Sequence, residues 1–241
     1  MRRALQVIGS SVAAAAGFYG GYVAVTYLRF GRAWSKAGTN PPLDRLIPGY
    51  EVRERHSVSV SAPADITLAA AREISFHDSP IVRAIFALRA LPGRLRSGPV
   101  APVERRPFFD EVIALGWRQL AETAGRQVVM GAVTQPWRQA VQFHGLPTDE
   151  FIAFREPGYA KIAWTIEVEP VGPSSSVFST ETRVATTDPI SRERFRRYWA
   201  FLSPGILIIR YETLRLVRAE AERRYASTSW SARSPLTRLD P

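Results

Sequence analysis

The stretch TDPISRERFRRYWAFLSPGILIIRYETLRLVRAEAERRY, residues 187–225, predicts one long amphipathic helix near the end of the chain. Asp188 is suited to cap the helix and Pro189 to occupy its first position, where a missing N–H costs nothing. Pro204-Gly205 predicts a bend midway. Apolar side chains, with one threonine among them, recur at steps of three and four, which is the spacing of one helix face: Phe195, Trp199, Leu202, Ile206, Ile209, Thr213 and Leu216. Such a helix needs an apolar partner surface along its whole length.

The stretch FREPGYAKIAWTIEVEP, residues 154–170, predicts a strand with two unlike faces after the turn at Pro157-Gly158. Side chains alternate with period two, so polar and apolar residues separate onto opposite sides. The polar side carries Lys161, Thr165 and Glu167, and the apolar side carries Ile162, Trp164 and Ile166. We expect the apolar side to be dry and the polar side to face solvent.

Other strand-like stretches flank this one and are separated by turn residues, which predicts an antiparallel meander. They are residues 50–60, 116–123, 126–134, 138–145 and 175–187. Two short helices are predicted after the first strand. One begins at Ser61, and the other begins at Ser79-Pro80 and ends before Pro92-Gly93.

The order of these elements resembles the helix-grip superfamily of START and Bet v 1-like (SRPBCC) domains, in a bacterial branch. The resemblance covers residues 50–225 and is carried by the element order and by several motifs. They are VSVSAPAD (58–65), LGWRQLAET (115–123), QVVMGAVTQPW (127–137), FREPGYAKIAWTIEVEP (154–170), FSTETRV (178–184) and FRRYWAFLSPGILIIR (195–210). It implies an α+β fold in which a curved antiparallel sheet wraps a long C-terminal helix.

The resemblance also implies that a hydrophobic small molecule or lipid is held between the sheet and the helix. The concave face of the sheet would line this hollow and the convex face would meet water. Aromatic and apolar residues either line the hollow or simply pack the core; the candidates are Trp137, Tyr159, Ile162, Trp164, Ile166, Tyr198, Trp199 and Leu202. Glu181 and Arg183 share one strand face, either as a solvated ion pair or as a polar clasp inside the pocket.

Residues 4–28 carry no charge and are bracketed by Arg2-Arg3 and Arg29. As a helix they would span about 37 Å, against a hydrocarbon core of about 30 Å. We predict a single-pass membrane anchor whose side of the membrane the sequence leaves open. A cleaved signal peptide ending near residues 13–15 and a docking helix are the alternatives. A stripe of small residues could pair two copies of the chain: Gly9, Ala13, Gly17 and Gly21.

The predicted organisation has four parts. Residues 1–36 form the anchor, 37–50 a linker with three prolines and two glycines, 51–226 the helix-grip domain, and 227–241 a disordered tail.

The sequence lacks the residue patterns of several common classes of enzyme. It contains no cysteine, no phosphate-binding loop and no nucleophile elbow, and its three histidines lack metal-ligand spacing. We therefore name no catalytic residue, metal or cofactor. The net charge is +10, but the arginines of residues 192–197 are interrupted by Glu193, so no nucleic-acid partner is expected. The alternatives to ligand binding are a polyketide cyclase/dehydrase-like enzyme and a structural partner in an envelope complex.

Overall fold

The computed structural model of the chain describes residues 17–28, 40–75, 78–85, 87 and 107–233, with side chains as far as residue 229. The helices are α1 (17–28), α2 (Pro41–Leu46), α3 (Ala64–Glu73), α4 (80–85), α5 (Phe108–Ala114), α6 (Thr148–Ala153) and α7 (Pro189–Arg233). The strands are β1 (Val52–Val60), β2 (Arg118–Thr123), β3 (Gln127–Thr134), β4 (Phe143–His144), β5 (Ala160–Gly172) and β6 (Ser175–Thr186).

The strands form one antiparallel sheet in the order β1-β6-β5-β3-β2, with β4 added to β3. The first strand therefore pairs with the last, from Val52 opposite Val184 to Val60 opposite Ser176. The strand predicted at 138–145 shrinks to Phe143–His144, because the residues before it form turns and bends. The other strands lie where their alternation predicted them.

One face of the sheet packs against α3, α5 and α7, and we call it the α7 face. It carries the largest hydrophobic core of the described residues, in which β-strand side chains such as Met130, Ile166 and Phe178 meet Leu214 and Val217 of α7. This arrangement confirms the predicted α+β architecture, an antiparallel sheet gripping a long C-terminal helix.

The opposite face, here the α2 face, is covered by α2 and α6. Leu43 and Leu46 of α2 and Phe151 of α6 pack on strand residues there. We expected solvent on this face, and that expectation is wrong: Lys161 is 7% exposed and Thr165 is fully buried. Part of this face is covered because the predicted linker 37–50 contains a helix. Asn40 caps that helix, α2, by accepting a hydrogen bond from the Leu43 N–H.

Helix α7 begins as predicted, because both carboxylate oxygens of Asp188 accept hydrogen bonds from Ser191. It continues through Pro204 to Arg233, past residue 227 where the tail was predicted to start. Its buried stripe is displaced from the predicted one beyond Trp199. The buried residues of α7 are Ser191, Phe195, Trp199, Ala200, Ser203, Leu214, Val217 and Ala221.

Helix α1 lies antiparallel to the first half of α7. The Tyr22 hydroxyl is 3.1 Å from Ser203 Oγ, the Tyr27 hydroxyl donates to Glu193, and the Tyr27 ring lies under the Arg196 guanidinium. No helix in the described ranges is both long enough and apolar enough to cross a membrane. Residues 4–16 of the predicted anchor, with Gly9 and Ala13 of the small-residue stripe, lie outside the described residues. Gly17 and Gly21 have open space beside them.

Candidate functional site

The middle of α7 is less buried than its two ends. Buried side chains hold α7 at both ends, but between Ser203 and Leu214 the residues of the helix, Arg210 among them, are half-buried or exposed. The residues on the facing strands are half-buried there as well: Glu54, His56, Ile162, Trp164 and Thr180. We call the region between these five residues and residues 204–213 of α7 the central gap.

One wall of the central gap is apolar and rigid. The Trp164 ring lies 5.5 Å from Phe108, 6.4 Å from Phe109 and 6.0 Å from Trp117, measured between ring centroids. Ile162 packs against the cluster that fixes the start of α7. Aromatic rings held by other rings lose little freedom when a ligand contacts them, so this wall is suited to an apolar surface.

The other wall is polar and comes from β1, β6 and α7. Glu54 lies opposite Thr182 and His56 lies opposite Thr180 in the strand register. His56 Nε2 is 3.5 Å from Glu54 Oε2, and Arg210 Nη1 donates to the Glu54 carbonyl oxygen at 3.3 Å.

Burial and charge set the protonation states on this wall. Burial lowers the pKa of His56, the positive charge of Arg210 lowers it further, and Glu54 opposes both effects. Burial also lowers the pKa of Arg210 to about 10. At neutral pH the wall therefore presents a neutral imidazole beside a charged guanidinium.

The predicted pocket residues are only partly brought together. Ile162 and Trp164 line the central gap, whereas Ile166 is buried in the main core. The other predicted aromatic residues lie elsewhere. Near the start of α7, Trp137, Tyr198 and Trp199 pack with Phe195. Tyr159 packs edge-on against Phe154. Leu202 is 41% exposed and lies outside the central gap.

Glu181 and Arg183 lie on the α2 face, away from the central gap. Arg183 Nε donates to Glu181 Oε1 at 2.9 Å, and its Nη1 donates to Asp44 Oδ1 of α2 at 2.6 Å. Arg53 donates to both Glu181 oxygens, at 2.8 and 3.1 Å. Arg183 is 0% and Glu181 1% exposed, so they form neither the predicted solvated pair nor the polar clasp in the pocket.

The polar wall was missed as a site by sequence reasoning. The alternation of residues 52–60 places Glu54 and His56 on the same side as Val58 and Val60, and this signal was available. Arg210 gave no such signal, because the predicted stripe passed through its neighbour Ile209.

A separate surface cleft of about 410 Å³ lies between α3 and α7. Its charged side chains satisfy one another, since Arg224 is 2.8 Å from Glu73 and 2.7 Å from Glu220. The cleft therefore offers a ligand few unpaired charged groups. Within the described residues no group of three or more acidic or histidine side chains could hold a metal ion.

Comparisons with known proteins give weak likenesses at the level of structure. No protein-family profile matches the chain, and no curated protein matches it. A conserved protein from Geobacillus kaustophilus matches with 7% identity and a TM-score of 0.34, covering 71% of this chain and 96% of its own. A START superfamily protein from Mycobacterium smegmatis matches with 14% identity and a TM-score of 0.25, covering 73% and 98%.

An aromatase/cyclase from a Streptomyces species matches with 17% identity and a TM-score of 0.25, covering 72% of this chain and 94% of its own. These likenesses are too low to argue from, so the fold is assigned from the chain's own topology. The pairing of the first strand with the last, the helices between β1 and β2, and the long C-terminal helix together give this protein a helix-grip-like fold.

Proposed function

We propose that the protein binds a hydrophobic small molecule or lipid in the central gap. The observation that carries this proposal is that α7 is only half-buried or exposed between Ser203 and Leu214, where it lies opposite the half-buried Trp164 and Ile162. Leaving this apolar surface partly exposed costs free energy that a ligand would recover, at about 25 cal/mol for each Å² it covers. Sites of this kind combine apolar walls with a few polar groups that fix orientation.

A filling substitution tests this proposal. Ile206 is half-buried at the gap, whereas Ile208 is 45% exposed on the same helix. We expect the full chain to bind the neutral dye Nile red with a rise in fluorescence, Ile206→Trp to weaken the binding about tenfold, and Ile208→Trp to leave it unchanged. Equal binding by all three proteins would place the dye elsewhere and contradict the proposal.

A cyclase-type enzyme is the second candidate, and His56 is the observation that favours it. A carbon–carbon ring closure needs a base to remove a proton beside a carbonyl, and a neutral imidazole can act as one. We expect turnover of a di-ketone probe to fall at least about a hundredfold in His56→Asn if this candidate is right. Turnover no faster than in buffer, or unchanged by the substitution, would exclude this role for His56.

We propose that the chain is also held at a membrane, through residues 4–28. The exposed side of α1 supports this, because its tyrosines face α7 while Phe18, Val25 and Leu28 face outward. On α7 the neighbouring Phe201 is exposed, and so is Arg197, which pairs with the partly exposed Glu193. This combination suits an anionic lipid surface.

Vesicle flotation tests the membrane proposal. We expect the full chain to float with vesicles of phosphatidylcholine and phosphatidylglycerol, and the double variant Phe18→Ser, Val25→Ser to float less. Val171→Ser removes an exposed valine at the β5–β6 turn and is the matched control. Loss of flotation in the control, or none in the double variant, would contradict a role for α1.

A further inference from the structure

Several polar groups on the wall of the central gap lack hydrogen-bond partners among the described residues. His56 Nε2 is buried and makes no hydrogen bond, although Glu54 Oε2 lies 3.5 Å away. The hydroxyls of Thr180 and Thr182, which stand opposite His56 and Glu54 in the strand register, make no hydrogen bond with the described part of the chain. Of these groups, His56 Nε2 is the one that is fully buried, and leaving a buried donor or acceptor unpaired costs free energy.

Arg210 is the most unusual of these groups. Arg183, which is fully buried, contacts the carboxylates of Glu181 and Asp44. Arg210 makes one hydrogen bond, to a backbone carbonyl at 3.3 Å, and forms no ion pair within 4.0 Å in the described residues. A guanidinium has five N–H donors in a planar fork that matches a carboxylate, so most of its donors remain available.

The titratable groups that face this wall are Glu54, His56, Arg210 and Tyr211. Glu54 is directed at His56, with the two side chains 3.5 Å apart. The guanidinium of Arg210 and the threonine hydroxyls are therefore the groups left to donate to a ligand. Such donors suit a ligand whose polar end accepts hydrogen bonds.

We propose that the ligand is an amphipathic carboxylate of the fatty-acid class. Its head group is received by Arg210 with Thr180 and Thr182, and its chain lies against Trp164 and Ile162. This inference rests on the proposed function, since it needs the central gap to be the binding site. It adds the class of ligand and the residue that selects it.

The test compares dodecanoate with dodecan-1-ol, which share a chain length and differ in the head group. Both are titrated against Nile red bound to the full chain, in wild type, Arg210→Gln and the control Arg215→Gln, an arginine 59% exposed on the same helix. We expect dodecanoate to compete about tenfold less well in Arg210→Gln, because a charge-assisted hydrogen bond is lost. Dodecan-1-ol should compete equally in all three proteins.

The outcomes separate the two proposals. If dodecanoate competes equally in wild type and Arg210→Gln, the carboxylate inference is overturned while binding in the gap stands. If Nile red does not bind wild type at all, the proposed function itself fails. Should Arg210→Gln fail to fold, Thr182→Val replaces it: weaker competition by dodecanoate alone supports the inference, and unchanged competition overturns it.

Discussion

Arg183 and Glu181 show how charged side chains can occupy the middle of a strand without water. Burial disfavours the ionised form of Glu181, but hydrogen bonds from Arg53 and Arg183 outweigh it, and the pKa of the carboxyl falls below its usual value. Asp44 of α2 and the Tyr50 ring also contact Arg183. The cluster thus ties α2 and the segment after it to the sheet.

We predict that Arg183→Met destabilises the protein by about 3 kcal/mol, because it leaves the buried Glu181 with fewer partners. The free energy of unfolding from urea denaturation measures this. Arg126→Met removes an arginine from an exposed pair with Glu169 and should change the free energy by less than about 1 kcal/mol. A similar decrease in the free energy of unfolding for both variants would contradict a special role for the buried cluster.

Lys161 is a second charged residue on the α2 face. Its ammonium donates to the Ile152 carbonyl at 3.0 Å and lies over the Phe151 ring, with no carboxylate partner in the described residues. Burial, with a smaller contribution from Arg155, lowers the pKa of Lys161 to about 8. The folded state therefore binds this proton less tightly than the unfolded chain does.

This shift has a definite sign in a stability measurement. Between pH 8 and 10.5 the unfolded chain holds more protons at this site, so wild type gains stability from Lys161 as the pH rises. Lys161→Met lacks the effect, so its free energy of unfolding minus that of wild type should be constant below pH 8 and fall above it. A difference that stays flat from pH 7 to 10.5 would mean that the lysine is not desolvated.

At the scale of the element, α7 shows both the strength and the limit of periodicity. The cap at Asp188 and the start of the buried stripe at Phe195 and Trp199 followed from the sequence. Beyond them the stripe passes through Ser203 and Leu214, not the predicted Leu202 and Thr213. Tyr22 of α1 reaches Ser203, and a contact between elements so distant in sequence leaves no trace in local spacing.

Helix α2 was hidden for a different reason. Its prolines occupy the first helical positions after the cap at Asn40, where proline is favoured. The same composition is typical of a linker, and the two are distinguished by the burial of Leu43 and Leu46, which only the fold determines.

We predict that Asp188→Ala destabilises the protein by about 1–2 kcal/mol at neutral pH, the usual cost of losing an N-cap. Hydrogen bonds from Ser191 and the Gly158 N–H hold the pKa of Asp188 well below its usual value. Wild type should therefore lose this advantage as the pH falls below about 4, where the unfolded carboxylate takes up its proton. Asp149→Ala, in the exposed first turn of α6, should stay within about 0.5 kcal/mol.

At the scale of the whole molecule, the sheet is covered on both faces. Helices α3, α5 and α7 cover one face and α2 and α6 the other, so polar strand residues such as Thr165 are enclosed. Alternation predicted correctly that Lys161 and Trp164 lie on opposite faces. It could not predict what covers each face, because alternation separates two sides and says nothing about their neighbours.

The candidate site was likewise only partly predictable from the sequence. Ile162 and Trp164 were predicted from the apolar side of their strand, whereas Arg210, Thr180 and Thr182 belong to the site only because α7 crosses β1 and β6 at that point. Their roles depend on the tertiary arrangement and not on any motif.

Native mass spectrometry of the purified full chain tests most directly whether the central gap holds a guest. We predict a population heavier than the bare chain by the mass of a small apolar molecule, which organic extraction releases and identifies. Ile206→Trp should lack this population, and Ile208→Trp should keep it. If the wild-type protein carries only its own mass and takes up no apolar molecule when one is added, the central gap is not a ligand-binding site.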